Sequence, residues 1–296
     1  MKGKATSPKL GPMIGATLVC ADIDVVITAY RQSFAMTEYS RTTISEQQAA
    51  FWQSSKLAGN TQVILQSPSS SKWLRIIEDK DATSPTPLSR YGWMSLEVNV
   101  ADVEQTATKI TDNFSVLGKP ANLELSDAIK AMQVAGPVGE VLYLTEIKAA
   151  VPPFELPFTD AELDRLFIPV LKAPNRANSL AFYEGINQHN GISFNTKITV
   201  LNRFFNIDIN HQYPVATIQF NGESLIEIDE VTTGEHHKDK CLPAGIALVT
   251  MQAKNIPADY QPLAAMTVEN DPYYGNGEVR LYKGKAGELL EIMLTS

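Results

Sequence analysis

The chain is short of the residues that build redox, metal and nucleophile sites. Only two cysteines occur in 296 residues, Cys20 in LVCAD and Cys241 in DKCLP, with no CxxC or metal spacing; both read as reduced thiols. There are four histidines. His236 and His237 adjoin in the charged loop GEHHKDKC, and His189 and His211 lie in polar, turn-like stretches, so none has structural-zinc spacing and all read as surface groups. No GxSxG elbow and no phosphate-cradling glycine loop is present. No apolar run approaches the roughly 18 to 20 residues of a membrane span, and the opening MKGKATSPKLGP lacks the apolar stretch of a secretory signal, so a cytoplasmic protein without a membrane partner is expected. Positive charge is also scarce. With 25 Lys and Arg against 33 Asp and Glu, for a formal net charge of -8, no basic stripe is available to meet phosphates, which argues against nucleic acid as a partner.

What is present is an ordinary globular composition, 44% apolar and 20% charged, in a chain long enough for two domains. A strand, a helix and further strands recur four times. The first cycle runs from IGATLVCA through DIDVVITAYRQSF, with Asp22 or Asp24 as N-cap, to TQVILQ and WLRIIE. The second runs from WMSLEVNV through DVEQTATKITDNF, capped by Asp102, to IKAMQVA and EVLYLTEI. LFIPVLKAP, NRANSLAFYEGI, PVATIQF and SLIEIDE make the third, and GIALVTMQA, EVRLYKG and LLEIMLT the fourth. The proline-rich AAVPPFELPFTDAELDR reads as a linker. These boundaries predict an α+β chain with one domain over 1–150 (modules 14–79 and 91–148), a linker over 151–165, and a second domain over 166–296 (modules 166–231 and 244–296). A doubly wound sheet would need strand and helix to alternate throughout.

The stretches Asp22 to Met36 and Ala177 to Ile186, with the closing turns GPVGEVLYL and KAGELLEI, resemble the module signature of the vicinal oxygen chelate superfamily: glyoxalase I, extradiol dioxygenases and bleomycin-resistance proteins. The resemblance implies βαβββ modules paired into two glyoxalase-like half-barrel domains, each with a concave face that holds a divalent metal in relatives. It implies fold, not reaction.

In that family the metal ligands come from the first and last strands of paired modules. Here the matching positions are Gly15, Arg75, Ser95 and Tyr143 in the first half, a set with no credible ligand and one repelling cation. In the second half they are Ile168, Glu227, Ile246 and Glu291. Two carboxylates make a poor transition-metal site but leave room for a weakly held Mg²⁺ or Ca²⁺. The expectation is no metal and no other cofactor.

Strand alternation places Ser95, Glu97 and Asn99 on one face of WMSLEVNV, with Tyr143 and Thr145 beside them and Arg75 in the same cleft. Glu97 is the candidate general base and Tyr143 the candidate oxyanion donor; Arg75, Ser95, Asn99, Thr145, Glu227 and Glu291 are candidate substrate-binding residues. A Glu97–Arg75 ion pair is the competing structural reading. Lys172 shares the parity of Ile168 and is placed to neutralise Glu227 or Glu291. Trp73 and Trp93 read as core or rim residues. The expected function is binding and metal-independent transformation, of lyase or isomerase type, of an oxygenated aromatic or acyl metabolite by a monomer or homodimer. The alternatives are a ligand-sequestering binder of the bleomycin-resistance kind and a divergent extradiol-type dioxygenase.

Overall fold

A computed structural model describes residues 7–124, 126–237 and 242–295; Cys241, expected to be a reduced thiol, lies outside them. Module 1 comprises β1 (Leu10–Cys20), α1 (Ile23–Phe34), β2 (Thr37–Thr43), α2 (Glu46–Phe51), β3 (Thr61–Gln66) and β4 (Leu74–Glu78). Module 2 comprises β5 (Gly92–Asn99), α3 (Val103–Lys109), β6 (Ser115–Leu123), β7 (Ser126–Ala135) and β8 (Val141–Ile147). Module 3 comprises β9 (Leu166–Ala173), α4 (Arg176–Asn187), β10 (Ile192–Lys197), α5 (Thr199–Phe204), β11 (Gln212–Phe220) and β12 (Ser224–Glu230). Module 4 keeps the strands β13 (Gly245–Ala253), β14 (Ala264–Asp271), β15 (Gly275–Lys283) and β16 (Leu289–Leu294) but has no helix after its first strand. Pro257 and Pro262 explain that loss, since a proline inside a helix removes a hydrogen bond and clashes with the preceding turn.

The expected caps form. The side chain of Asp22 accepts from the amides of Asp24 and Val25, and that of Asp102 from Gln105. Among the described residues no helix is long and apolar enough to cross a membrane.

The sixteen strands form two eight-stranded sheets that do not follow the halves of the chain. One has the order β14-β15-β16-β13-β1-β4-β3-β2, the other β10-β11-β12-β9-β5-β8-β7-β6. Module 1 therefore pairs with module 4 in an outer half-barrel and module 2 with module 3 in an inner one, which corrects the expected pairing of modules within 1–150 and 166–296. Each sheet is centred on two antiparallel first strands, β1 with β13 and β5 with β9, flanked by parallel last strands. Residues 151–165, the expected linker, have no helix or strand beyond an isolated bridge between Val151 and Phe154.

Chain neighbours meet instead through the helical layer. The Tyr30 hydroxyl of α1 donates to Glu140 at 3.0 Å, joining modules 1 and 2, and Tyr183 of α4 donates to Glu288 at 3.0 Å, joining modules 3 and 4. Each carboxylate also receives a turn amide, from Val138 or Ala286. The helix tyrosines and closing-turn glutamates of the repeated motifs are thus one latch used twice. Between the sheets a single apolar core mixes Leu18, Ile76, Val249 and Leu290 of the outer sheet with Leu96, Leu142, Leu171 and Ile226 of the inner. Each hollow has its own separate cluster.

Candidate functional site

Register makes the two hollows comparable residue by residue. In the outer half-barrel Thr17 pairs with Arg75 and Thr250 with Glu291. In the inner one Glu97 pairs with Tyr143 and Val170 with Glu227. Gly15 opposite Thr250 corresponds to Ser95 opposite Val170. A side chain is impossible at Gly15, because an added Cβ would lie 1.9 Å from the carbonyl oxygen of Trp73.

The outer hollow is closed by its own side chains. Arg75 and Glu291, both 0% exposed, form an ion pair at 2.8 Å. Glu291 Oε1 accepts from the Trp52 indole at 2.6 Å and from Tyr274 at 2.7 Å, while Oε2 accepts from Arg75 and, at 2.6 Å, from Thr250. Four donors fill the roughly four lone-pair positions of a carboxylate, leaving none for a metal or substrate. Arg75 also donates to Thr17 at 2.9 Å and to Tyr274 at 2.5 Å, and its guanidinium packs against the rings of Trp52, Tyr273 and Tyr274 at 4.9, 4.3 and 5.1 Å. Burial, the largest single influence, would lower the Arg75 pKa, but Glu291 together with Tyr274 and Tyr273 outweighs it and holds the guanidinium protonated.

The inner hollow holds acids that form no ion pair among the described residues. Glu97 (8% exposed) and Asp229 (1% exposed) are buried, with Glu227 and Tyr143 half-buried at the rim. Thr145 donates to Glu97 Oε2 at 3.1 Å. Burial, then the charge of Glu227, pushes Glu97 up to about 8, with the Thr145 hydrogen bond opposing the shift. Asp229 is raised well above the usual carboxylate range by burial and by Glu227. Among the described residues neither oxygen of Asp229 meets an N–H or hydroxyl donor, nor do the hydroxyls of Ser95, Thr217 and Tyr213 find partners. The contact between Glu227 and Asp229 is carboxyl to carboxyl, so it is a hydrogen bond only when one of them carries a proton. The more buried Asp229 is the natural holder. Tyr143 is raised well above its ordinary value by burial and then by Asp229, Glu227 and Glu97, so it stays a donor.

This geometry redistributes the candidate residues. Arg75 and Glu291 belong to the outer hollow and bind each other, so neither the expected Glu97–Arg75 pair nor a Glu227–Glu291 site forms. Asn99 is structural: its side chain accepts from the Arg165 amide at 3.2 Å and its backbone pairs with residues 164 and 165, tying that stretch to β5. Lys172 neutralises no carboxylate of either hollow; its ammonium donates to the Leu88 and Ser89 carbonyls, and burial lowers it to about 8. Glu97, Tyr143, Ser95, Thr145 and Glu227 do share one hollow. Asp229 was overlooked in the sequence, although it stands two residues from Glu227 on the same strand face. Trp52 and Tyr274 reach Glu291, and Tyr273 reaches Thr250 and Arg75, from a helix end and a turn, where alternation carries no signal.

The donors do not fit the metal that the family resemblance implies. Arg75 and its partners fill the outer position, and among the described residues the apolar cluster of neither hollow includes a histidine or cysteine. Among the described residues no group of three His, Cys, Asp or Glu side chains converges as a metal site.

No family model matches the chain and no curated protein matches it. Solved structures do. Glyoxalase I from Zea mays aligns with a TM-score of 0.60 at 14% identity, covering 95% of this chain and 92% of that one. A Bacillus subtilis protein described as a candidate dioxygenase aligns at 0.64 with 9% identity, covering 98% and 86%. The cppA protein from Streptococcus pneumoniae aligns at 0.52 with 9% identity, covering 97% and 99%. At such identities the likeness is one of fold. Together with the repeated strand order and the two half-barrels, it shows that the chain shares the glyoxalase-like fold of these structures.

Proposed function

We propose that the inner hollow binds a small oxygenated acyl or aryl metabolite and moves a proton at the carbon beside its carbonyl, as a lyase or isomerase does, without a resident metal. The observation that carries this reading is the contrast at equivalent positions: the outer hollow neutralises its carboxylate with Arg75, while the inner one gathers Glu97, Glu227 and Asp229 with Tyr143, and among the described residues no cation pairs with these acids. Glu97, oriented by Thr145 and raised by its surroundings, is the base that takes the proton. Tyr143, paired with Glu97 across β5 and β8, donates a hydrogen bond to the enolate oxygen as charge develops there. The proton held between Glu227 and Asp229 is available to return to the product.

Proton–deuterium exchange at the α-carbon of a panel of aryl ketones and α-hydroxy ketones, followed by proton NMR, tests this. Exchange by the wild type should rise with pH up to an apparent value of about 8, as Glu97 ionises. It should survive dialysis against a chelator and fall about 100-fold in Glu97→Gln, with a smaller loss in Tyr143→Phe. Equal rates in wild type and Glu97→Gln would exclude the assignment.

A further inference from the structure

A cavity of about 360 Å³ lies where the two sheets abut, and its lining includes none of Glu97, Tyr143, Glu227 and Asp229. Its walls are drawn from all three apolar clusters: Trp93 from the shared core, Trp52 and Leu281 from the outer hollow, and Leu88 and Met94 from the inner. That volume falls within the range of small-molecule sites, about 300 to 1,000 Å³.

The lining is aromatic and cationic. Trp52, Tyr91 and Trp93 present ring surface, and His236 stacks on Tyr91 with centroids 4.8 Å apart. Both indoles are fixed from behind: Trp52 donates to Glu291 at 2.6 Å and Trp93 to the Leu289 carbonyl at 2.7 Å. Their N–H groups are therefore spent, and what they offer a ligand is carbon surface. Arg90 and Lys283 supply positive charge, and neither forms an ion pair among the described residues. One Arg90 nitrogen donates to the Ala244 carbonyl at 3.3 Å, which leaves most of the guanidinium fork for other acceptors. Among the described residues the sole carboxyl in the lining, Glu288, is buried and committed to Tyr183 and the Ala286 amide. A cation-bearing aromatic cleft in a chain with a formal net charge of -8 selects for an anion with a flat apolar body.

We propose that this junction cavity is a binding site for a planar aromatic carboxylate, with the ring against Trp93 and Tyr91 and the carboxylate on Arg90, assisted by Lys283. It is separate from the carboxyl hollow, whose acids would repel such a ligand.

Benzoate is the probe, titrated into the full-length protein by saturation-transfer NMR and by quenching of tryptophan fluorescence. Trp52 and Trp93, two of the chain's three tryptophans, line the cavity, and Trp73 does not. Benzoate should bind saturably and quench, and uncharged benzyl alcohol should bind about tenfold more weakly, as expected for loss of a charge-assisted hydrogen bond. Arg90→Gln should weaken benzoate by about the same factor while leaving benzyl alcohol unchanged. Lys283→Gln should have a smaller effect of the same kind. Trp93→Phe should keep the NMR signal and lose much of the quench, and Glu97→Gln should change neither. No saturable binding at millimolar benzoate, equal affinity for benzoate and benzyl alcohol, or Arg90→Gln binding like wild type would each overturn the proposal. Loss of benzoate binding in Glu97→Gln would overturn it too, by placing the ligand in the inner hollow. Because the base assignment is read by α-carbon exchange and this site by benzoate binding, the two proposals fail independently.

Discussion

The two half-barrels share strand order, pairing and register, yet treat a buried carboxylate in opposite ways. In the outer one Glu291 has a guanidinium, two aromatic donors and a threonine, and its hydrogen bonding is complete. In the inner one Glu227 occupies the equivalent place, but its neighbours are Glu97 and Asp229. Much of the difference comes from single residues at matching positions. Arg75 corresponds to Tyr143, and module 2, which answers to module 1, has no counterpart of α2, the helix whose C-cap Trp52 supplies an indole donor to Glu291. One hollow is thereby a buried ion pair that closes a site, and the other keeps groups that can hold and release protons. Buried polar groups without partners persist where chemistry or ligand binding uses them, which is why the proposed reaction is placed in the inner hollow.

The largest test of this contrast is to break the outer pair alone. Arg75→Met leaves Glu291 buried without its counter-charge and should cost about 3 to 5 kcal/mol of stability in urea unfolding; Glu291→Gln in the same background should recover part of it. A loss below about 1 kcal/mol would mean that water reaches this site.

The equivalent substitution in the two hollows should then differ in sign. Glu291→Gln strands Arg75 and destabilises, whereas Glu227→Gln removes one of three crowded acids and should stabilise at pH 8 by on the order of 1 kcal/mol. The same sign for both would erase the distinction.

The pH dependence sharpens it further. Burial raises Glu140 and Glu288 to about 7 from an ordinary 4.5. Between those values the folded chain holds more protons than the unfolded chain. Their stabilising contribution is therefore complete below about pH 4.5 and is lost as pH rises through 7. Glu97, raised to about 8, extends the same trend upward. Thermal midpoints at constant ionic strength should fall from pH 5 to pH 8, and Glu97→Gln should flatten that slope. A midpoint that climbs over this window would contradict the inner acids being buried and unpaired.

The smallest effect belongs to the latches that the two halves share. Tyr30→Phe and Tyr183→Phe should each cost about 1 kcal/mol, more at pH 8 than at pH 5, because the glutamate left behind is then ionised. Equal losses for the two would show the repeat to be symmetric in energy as well as in geometry.

Much of this was legible without coordinates. Period-two alternation put Glu97, Ser95, Tyr143 and Thr145 on one face, and they do share a hollow. The helix caps at Asp22 and Asp102 followed from a short acidic side chain ahead of an amphipathic run. Asp229 was accessible to the same alternation and was missed. Lys172 was misplaced because parity tells which face a side chain takes but not how far along the strand its partners lie.

The amino-acid sequence by itself determined the four modules, the facing of residues along each strand and the want of histidine at the ligand positions, because those are local properties of composition and spacing. Which modules share a sheet was decided only in three dimensions, since four similar units with similar first strands can be paired in more than one way. That choice set the chemistry. Pairing module 1 with module 4 gave Arg75 to Glu291 across 216 positions of chain and left Glu97, Glu227 and Asp229 together, and the electrostatic fate of a buried acid depends on what folding brings within a few ångströms of it.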